Sequence, residues 1–331
     1  MRPRISDVAR VAGVSTATVS RALSQPELVS EETRALVLQA VEKTGYRLNL
    51  AARNLRQNRT GGVLALVPNL ANPFFAQILS GIAEVLGPAG YNLLVADTRI
   101  TDPDTLLEYA EPSRADGLIV LDGGLPAEAL RRVPVVMACE WVPALQAPRV
   151  KIDNRAAARQ AIAHLMALGH RRIGHVRGPR GNVLAEARLA GTREALEEQG
   201  LCLDAASLYP GDFSLASGRE AALIWLRQDP GLRPTGVFLA SDEMACGFMG
   251  EVQRQGIAVP GDVSVIGFDD IELIAHISPP LTTIRQPRAE IGRLAARRLL
   301  RSLEGGEAAC EDELLPVELV LRASTAVPPR A

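Results

Sequence analysis

The sequence is sparing with several residue types, and each shortage narrows what the chain can be. Phe, Trp and Tyr supply 4% of 331 residues, whereas hydrophobic residues supply 47%. The core must therefore be aliphatic and alanine-rich, and the chain is long enough for two or three domains. The four cysteines, Cys139, Cys202, Cys246 and Cys310, lie far apart and form no C-x-x-C, which points to isolated thiols and not to a disulfide framework or a zinc site. The four histidines, His164, His170, His175 and His276, match no H-E-x-x-H or comparable spacing, so no metal is expected. There is no dinucleotide fingerprint, P-loop or G-x-S-x-G, so neither a cofactor nor catalysis is expected. No apolar run approaches the roughly 18 residues that span a bilayer. The opening "MRPRISDVARVAG" lacks the apolar stretch of a secretory signal. A cytoplasmic protein without membrane contact is expected.

What the chain does have is a charge asymmetry. The net charge is −2, yet residues 1–60 hold ten Arg/Lys against five Asp/Glu, a net of +5. The other 26 basic and 33 acidic residues leave −7. A basic N-terminal piece on an acidic body is the layout of a nucleic-acid-binding head joined to a second domain.

Within that head, three short helical patterns stand out. The first, in "SDVARVAG", places Val8, Val11 and Ala12 on one face and ends at Gly13. The second begins at the N-cap Ser15 and turns Val19, Ala22 and Leu23 inward; the third runs from near Ser30 to Thr44, buries Val37, Ala40 and Val41, and closes at Gly45. Two helices joined by a Gly-containing turn and completed by a third describe a helix-turn-helix. With Val19 and Leu23 inside, Thr16, Ala17, Ser20 and Arg21 face outward. Thr16 and Ala17 are short enough to approach base edges in a major groove, and Arg21 can fork onto guanine O6 and N7. Ser15, Thr18 and Ser20 suit phosphate oxygens.

The stretch "ISDVARVAGVSTATVSRALSQPELVSEETRALVLQAVEKTGYRLN" resembles the DNA-binding head of the lactose/galactose repressor (LacI/GalR) family. The resemblance implies that Thr16, Ala17 and Arg21 are base-reading positions. It also implies that residues 47–60 form a hinge helix ordered on operator DNA, with Asn49 at its start and Leu55 as the leucine that wedges into the minor groove. The family's usual hinge proline is replaced here by Leu48.

After residue 60, aliphatic runs such as "GVLALVPN", "YNLLVAD", "GLIVLDGG", "VPVVMAC", "RRIGHVRG", "TGVFLASD" and "DVSVIGFDD" alternate with helical patterns. One of those patterns carries the stripe Phe74, Ile78, Ile82 and Val85. Such alternation predicts parallel sheets covered by helices, with about ten strands divided over two lobes. Ligands of such sheets sit beyond the carboxyl ends of strands. There the sequence places Asn72, Phe74 and Phe75; Cys139, Glu140 and Trp141; Asp153 and Asn154; Ser241 and Asp242; Asp269 and Asp270. Aromatic platforms beside carboxylates suit a polyhydroxylated ring ligand. Asp153 and Asp242 also read as helix caps.

Landmarks such as "NPFFAQILSGI", "VKIDN", "HLMALGHRRIGHV", "SDEMACG" and "PPLTTIRQP" extend the family resemblance over essentially the whole chain. It implies a small all-α helix-turn-helix head (1–46), the hinge (47–60) and an α/β periplasmic-binding-protein-like core of two parallel-sheet lobes (61–331). The lobes are expected at about 61–155 plus 288–316 and about 156–287 plus 317–331. Phe74 and Glu140 are expected at the effector from their strand-end positions. Phe75, Cys139, Arg188, Phe213, Ser241 and Asp269 are carried over from the family. The implied protein is a homodimeric, effector-controlled regulator, most simply a repressor, whose partners are double-stranded operator DNA and a small molecule. "MACEWVPALQAP", "PPLTTIRQPRAEIG" and "GDF" look most like the family's nucleoside-responsive branch and imply a nucleoside such as cytidine. A sugar (ribose, a hexose or a sugar acid) and a purine co-repressor remain open. The C-terminal "VLRASTAVPPRA" holds no leucine heptad, so a tetramerising coiled coil is not expected.

Overall fold

The structure, a computed structural model, describes residues 3–46, 54, 59–306 and 310–329. Contacts divide the chain into two units, Met1–Arg59 and Thr60–Ala331. Leu48, Asn49 and Leu55 of the expected hinge lie outside the described residues.

The first unit contains α1 (Ile5–Ala12), α2 (Thr16–Ser24) and α3 (Glu31–Thr44). Val8, Val19 and Val37, one from each helix, are fully buried together, with Ala9, Ala22 and Ala40 between them. Gly13 and Gly45 end α1 and α3 in the left-handed conformation, at φ 68° and 65°, where glycine carries no Cβ penalty. Val11, expected inside, is 44% exposed. At about 100° per residue the inward stripe of α1 runs through Ile5, Val8, Ala9 and Ala12, and Val11 falls to one side of it.

The second unit begins with β1 (Gly62–Val67), α4 (Phe74–Leu86), β2 (Asn92–Asp97), α5 (Pro103–Tyr109), β3 (Gly117–Val120), β4 (Val135–Ala138) and β5 (Arg149–Ile152). Next come α6 (Asn154–Ala167), β6 (Ile173–Val176), α7 (Val183–Glu197), β7 (Leu208–Tyr209), α8 (Leu215–Arg227), β8 (Gly236–Leu239), α9 (Asp242–Arg254), β9 (Ser264–Asp269) and β10 (Thr282–Arg285). The unit ends with α10 (Arg288–Leu303), β11 (Asp312–Leu315) and β12 (Glu318–Val320). Two six-stranded sheets result, ordered β11-β5-β4-β3-β1-β2 and β12-β10-β9-β8-β6-β7. Every pairing is parallel except β10 with β12. β1, β3, β6, β8 and β9 are buried along their whole length, as strands covered on both faces must be. The chain passes between the sheets three times: after β5, after β10 and after β11. No described helix is long and apolar enough to cross a membrane.

The helices flanking each sheet pack backbone to backbone through glycine. A Cβ on Gly81 (α4) would lie 2.1 Å from the carbonyl oxygen of Ala289, and one on Gly292 (α10) 2.1 Å from that of Ile78. The α8–α9 crossing repeats the device, with Gly218 against Met244 and Gly247 against Leu215, both at 2.0 Å. Gly81→Ala and Gly292→Ala should therefore each destabilise the core unit by about 1–3 kcal/mol, the usual cost of overpacking. Thermal denaturation checks this; a midpoint equal to the wild type would show that the crossing can open without cost.

Candidate functional sites: a helix face and an interlobe cavity

On the first unit, Ser15 caps α2 by accepting the Thr18 N–H at 3.0 Å, and the two hydroxyls lie 2.9 Å apart. Ser15, Thr16, Ala17 and Arg21 are exposed, whereas Thr18 and Ser20 are half-buried. Burial of Val19, Ala22 and Leu23 fixes the rotation of α2. The short side chains of its first turn and the Arg21 guanidinium thus share the outward side. Such a face can enter a groove closely and present one forked donor.

In the second unit, a cavity of about 500 Å³ lies between the carboxyl ends of the two sheets, within the usual range for small-molecule pockets. Of the eight expected effector residues, Phe74, Phe75, Glu140, Arg188, Phe213, Ser241 and Asp269 line it. Cys139 does not. Its φ is 64° and its side chain packs into the apolar core, where burial pushes the thiol pKa up. The left-handed turn at Cys139 hands the cavity position to Glu140. Asp242, expected as a cap, is not one either. Ser241 caps α9 by accepting the Met244 N–H, and Asp242, fully buried, accepts from Thr283 Oγ1 at 2.6 Å and Ile271 N at 2.9 Å. Asp153 does cap α6.

Arg188 reaches the cavity from α7 and is 2% exposed. Its Nε donates to Asn154 Oδ1 at 2.9 Å, and Nη1 donates to the Ala240 carbonyl. The guanidinium lies 3.6 Å from the centroid of the Phe268 ring, a cation–π contact that fixes its plane. Burial lowers its pKa, and the nearby Asp269 and Glu140 oppose that shift. Asp269, at the end of β9, is 6% exposed with φ 120°. Its Oδ1 accepts from Gln286 Nε2 at 2.7 Å. Burial pushes its pKa up to about 6, against the pull of Arg188, Gln286 and Arg288. Among the described residues, Arg188 Nη2 has no protein acceptor and Asp269 Oδ2 no protein donor. A forked donor and an acceptor are thus left for a ligand.

Glu140 faces them from the other lobe. Its Oε2 accepts the Gly123 N–H at 2.9 Å, and burial holds the carboxyl above the ordinary carboxylate range. Phe74 and Phe75 meet edge to face, centroids 5.0 Å apart. Phe213, in left-handed backbone at φ 69°, supplies an aromatic wall from the opposite lobe. Asn69, Arg99, Asp122, Asn182 and Asp212 also line the cavity and were missed in the sequence. Asp122 follows β3 just as Glu140 follows β4, so the strand-end rule already pointed to it. Arg99 and Asn182 lie in loops that carry no pattern. Three arginines (Arg99, Arg180, Arg188) and four acids (Asp122, Glu140, Asp212, Asp269) line the cavity. Among the described residues none of the seven is in a salt bridge.

Comparison with known proteins gives this geometry its context. Residues 4–49 match the pattern of bacterial regulatory proteins of the lacI family, and residues 162–325 match a periplasmic binding protein-like domain. The chain is 39% identical to the HTH-type transcriptional repressor CytR of Escherichia coli K12 over 330 residues, 97% of this chain and 96% of that one. The lac repressor dimer bound to operator and the anti-inducer ONPF superposes with a TM-score of 0.84 at 29% identity, covering 98% of this chain and all of the other. A LacI-family regulator from Enterococcus faecium with bound ribose gives 0.73 at 28% identity, over 80% of this chain and 99% of that one. Head, core and an alignment that spans almost the whole chain agree: the protein belongs to the LacI family of bacterial regulatory proteins.

Proposed function

We propose that the protein is a homodimeric transcriptional repressor of the bacterial nucleoid that reads a near-palindromic operator through α2 and is controlled by a nucleoside, with cytidine the first choice. The observation that carries the effector reading is the unspent pair, Arg188 Nη2 and Asp269 Oδ2, facing a cavity with aromatic walls. A ribose hydroxyl both donates and accepts, so it satisfies the carboxylate and the guanidinium together. Phe74, Phe75 and Phe213 offer apolar faces to a base or to the sugar ring. The full-length similarity to CytR supports the same reading; the ribose bound by the Enterococcus relative fits a ribosyl ligand and equally the free sugar. Cys139, set back in the core, has no part in it.

On DNA, Thr16 and Ala17 approach base edges, Arg21 forks onto a guanine, and Ser15, Thr18 and Ser20 meet phosphates. Asn49 and Leu55 take the hinge roles that the family resemblance implies. Each head occupies one half-site, so the symmetry of the dimer appears as symmetry in the operator. The effector acts by binding one arrangement of the lobes better than another, since equal affinity for both would transmit nothing.

Selection from randomised duplexes at moderate salt should enrich a symmetric site. On that site Arg21→Ala should cost about 1–3 kcal/mol and relax specificity at one base pair. Equal weakening on all sequences would reassign Arg21 to a phosphate.

A thermal-shift panel of nucleosides, nucleobases, pentoses and hexoses should single out nucleosides. A ligand at a hundred times its dissociation constant adds about 2.7 kcal/mol, and a panel in which only sugars raise the midpoint would replace the nucleoside. Asp269→Ala should abolish that shift while leaving operator binding intact; an unchanged shift would remove Asp269 from the contact.

The ionised carboxylate accepts a ligand hydroxyl more strongly than the neutral acid does, and the ligand is taken to bind the ionised form. Affinity should therefore be level at neutral pH and fall as pH drops through about 6, approaching tenfold per pH unit. Titration calorimetry between pH 5 and 8 checks this. A flat profile would show that the ligand does not use the ionised form.

A further inference from the structure

Gln286 and Arg288 do not line the cavity, yet both are 4% exposed; Gln286 grips Asp269, which does line it, and Arg288 grips the next residue, Asp270. They sit on the second passage between the lobes. Gln286 follows β10 of the second sheet, and Arg288 opens α10, which packs on α4 of the first. Gln286 Nε2 donates to the Asp269 carboxylate at 2.7 Å. Arg288 Nη2 donates to the backbone carbonyl of Asp270 at 2.6 Å. Asp269 and Asp270 are consecutive non-glycine residues with φ 120° and 57°, a backbone that persists only where its surroundings impose it. The Asp270 carboxylate is clamped by Arg285 Nε and Arg322 Nη2, each at 2.6 Å. The turn that presents Asp269 is therefore held on one side by its own lobe and on the other by the interlobe passage.

A second observation singles out that passage. Arg288 Nε is one of three buried side-chain polar atoms without a hydrogen-bond partner among the described residues. An N–H left unpaired in the interior is unfavourable. Any arrangement of the lobes that offers this nitrogen an acceptor is favoured by the bond it gains.

We infer that Gln286 and Arg288 are positioning residues, which aim the Asp269 carboxylate through the passage between β10 and α10 and so tie the state of that carboxylate to the angle between the lobes. The significance for regulation rests on Asp269 being an effector contact; the mechanical link itself does not. Pull on Asp269 from the cavity is passed through the Gln286 amide to the segment that must bend when the lobes move. Movement of α10 relative to β9 is passed back through Arg288 to the Asp269–Asp270 turn.

The test uses full-length protein without effector. The carboxyl titration of Asp269 is followed by ¹³C NMR in wild type, Gln286→Leu and the gentler Gln286→Asn. The other groups acting on Asp269 are Arg188 and Arg288, and Asp242, Glu243 and Cys139 are coupled to it; all stay in place in these variants. Removing the amide donor should move the midpoint upward by about one pH unit in Gln286→Leu and by less in Gln286→Asn. In parallel, spin labels on the exposed thiols Cys202 and Cys310, which flank β7 of the second sheet and β11 of the first, report the interlobe distance, with unlabelled subunits added to isolate single chains. Arg288→Gln should shift or broaden that distribution. Midpoints unchanged in both Gln286 variants, or an interlobe distribution identical to wild type in Arg288→Gln, would overturn the inference. Neither readout involves a nucleoside, so a protein indifferent to nucleosides would leave this result standing.

Discussion

Two buried charges, each with bonds left to make, set the terms for the second unit. Taking a guanidinium and a carboxylate out of water costs several kcal/mol per ion unless hydrogen bonds replace the lost solvent. Arg188 and Asp269 recover part of that through Asn154, the Ala240 carbonyl, the Phe268 ring and Gln286. The remainder is left open toward the cavity. Such a site is tense without a partner and relaxed with one, and the difference is the free energy that a ligand has available for moving the lobes. A direct ion pair between the two would have satisfied both charges and left nothing for a ligand to do. Neutral partners keep them apart while holding each in place.

That tension is useful only if the lobes themselves do not absorb it. The glycine-mediated crossings of α4 with α10 and of α8 with α9 bring helix backbones so close that a methyl group does not fit. Packing of this kind has little slack, because interiors at crystal-like density transmit displacement and do not cushion it. Any motion of one lobe against the other would then have to be taken up in the three interlobe passages. The head achieves rigidity on a smaller scale, with three valines meeting at its centre and a hydroxyl pair at the start of α2. The rotation of that helix, and so the choice of side chains it shows, is settled by Val19, Ala22 and Leu23 more than by any polar residue on it.

Much of this was legible in the sequence, and the failures share a cause. Long aliphatic runs announced β1, β3, β6, β8 and β9 because strands buried on both faces are mostly apolar, with polar residues such as His175, Ser264 and Asp269 admitted only where a partner or the cavity receives them. β7, β11 and β12 were invisible as strands. "DELL" and "ELV" carry edge positions with solvent on one side, and they become strands only by pairing with partners distant in the chain. Asp312 aligns with Arg149 and its carboxylate meets Lys151 Nζ at 2.6 Å, a contact no local pattern encodes. Cys139 and Asp242 were misjudged for a similar reason. Which of two adjacent residues faces a cavity depends on one backbone dihedral: the left-handed turn at Cys139 exchanges its role with Glu140, and the cap falls on Ser241 instead of its neighbour. Spacing locates a strand end to within a residue or two, and the identity of the residue that points inward is decided by tertiary contacts.

The interleaving of the two sheets has a consequence for how such a protein can change over generations. The first sheet takes β11 from beyond the second passage and the second sheet takes β12 from beyond the third, so neither lobe is encoded by an uninterrupted stretch of gene. A single recombination event cannot exchange one lobe for another without stripping an edge from both. The head is encoded without interruption and ends before β1, so one crossover suffices to replace it. New operator preferences can therefore be acquired wholesale, whereas a new signalling molecule has to be reached by individual codon changes in the loops at the strand ends.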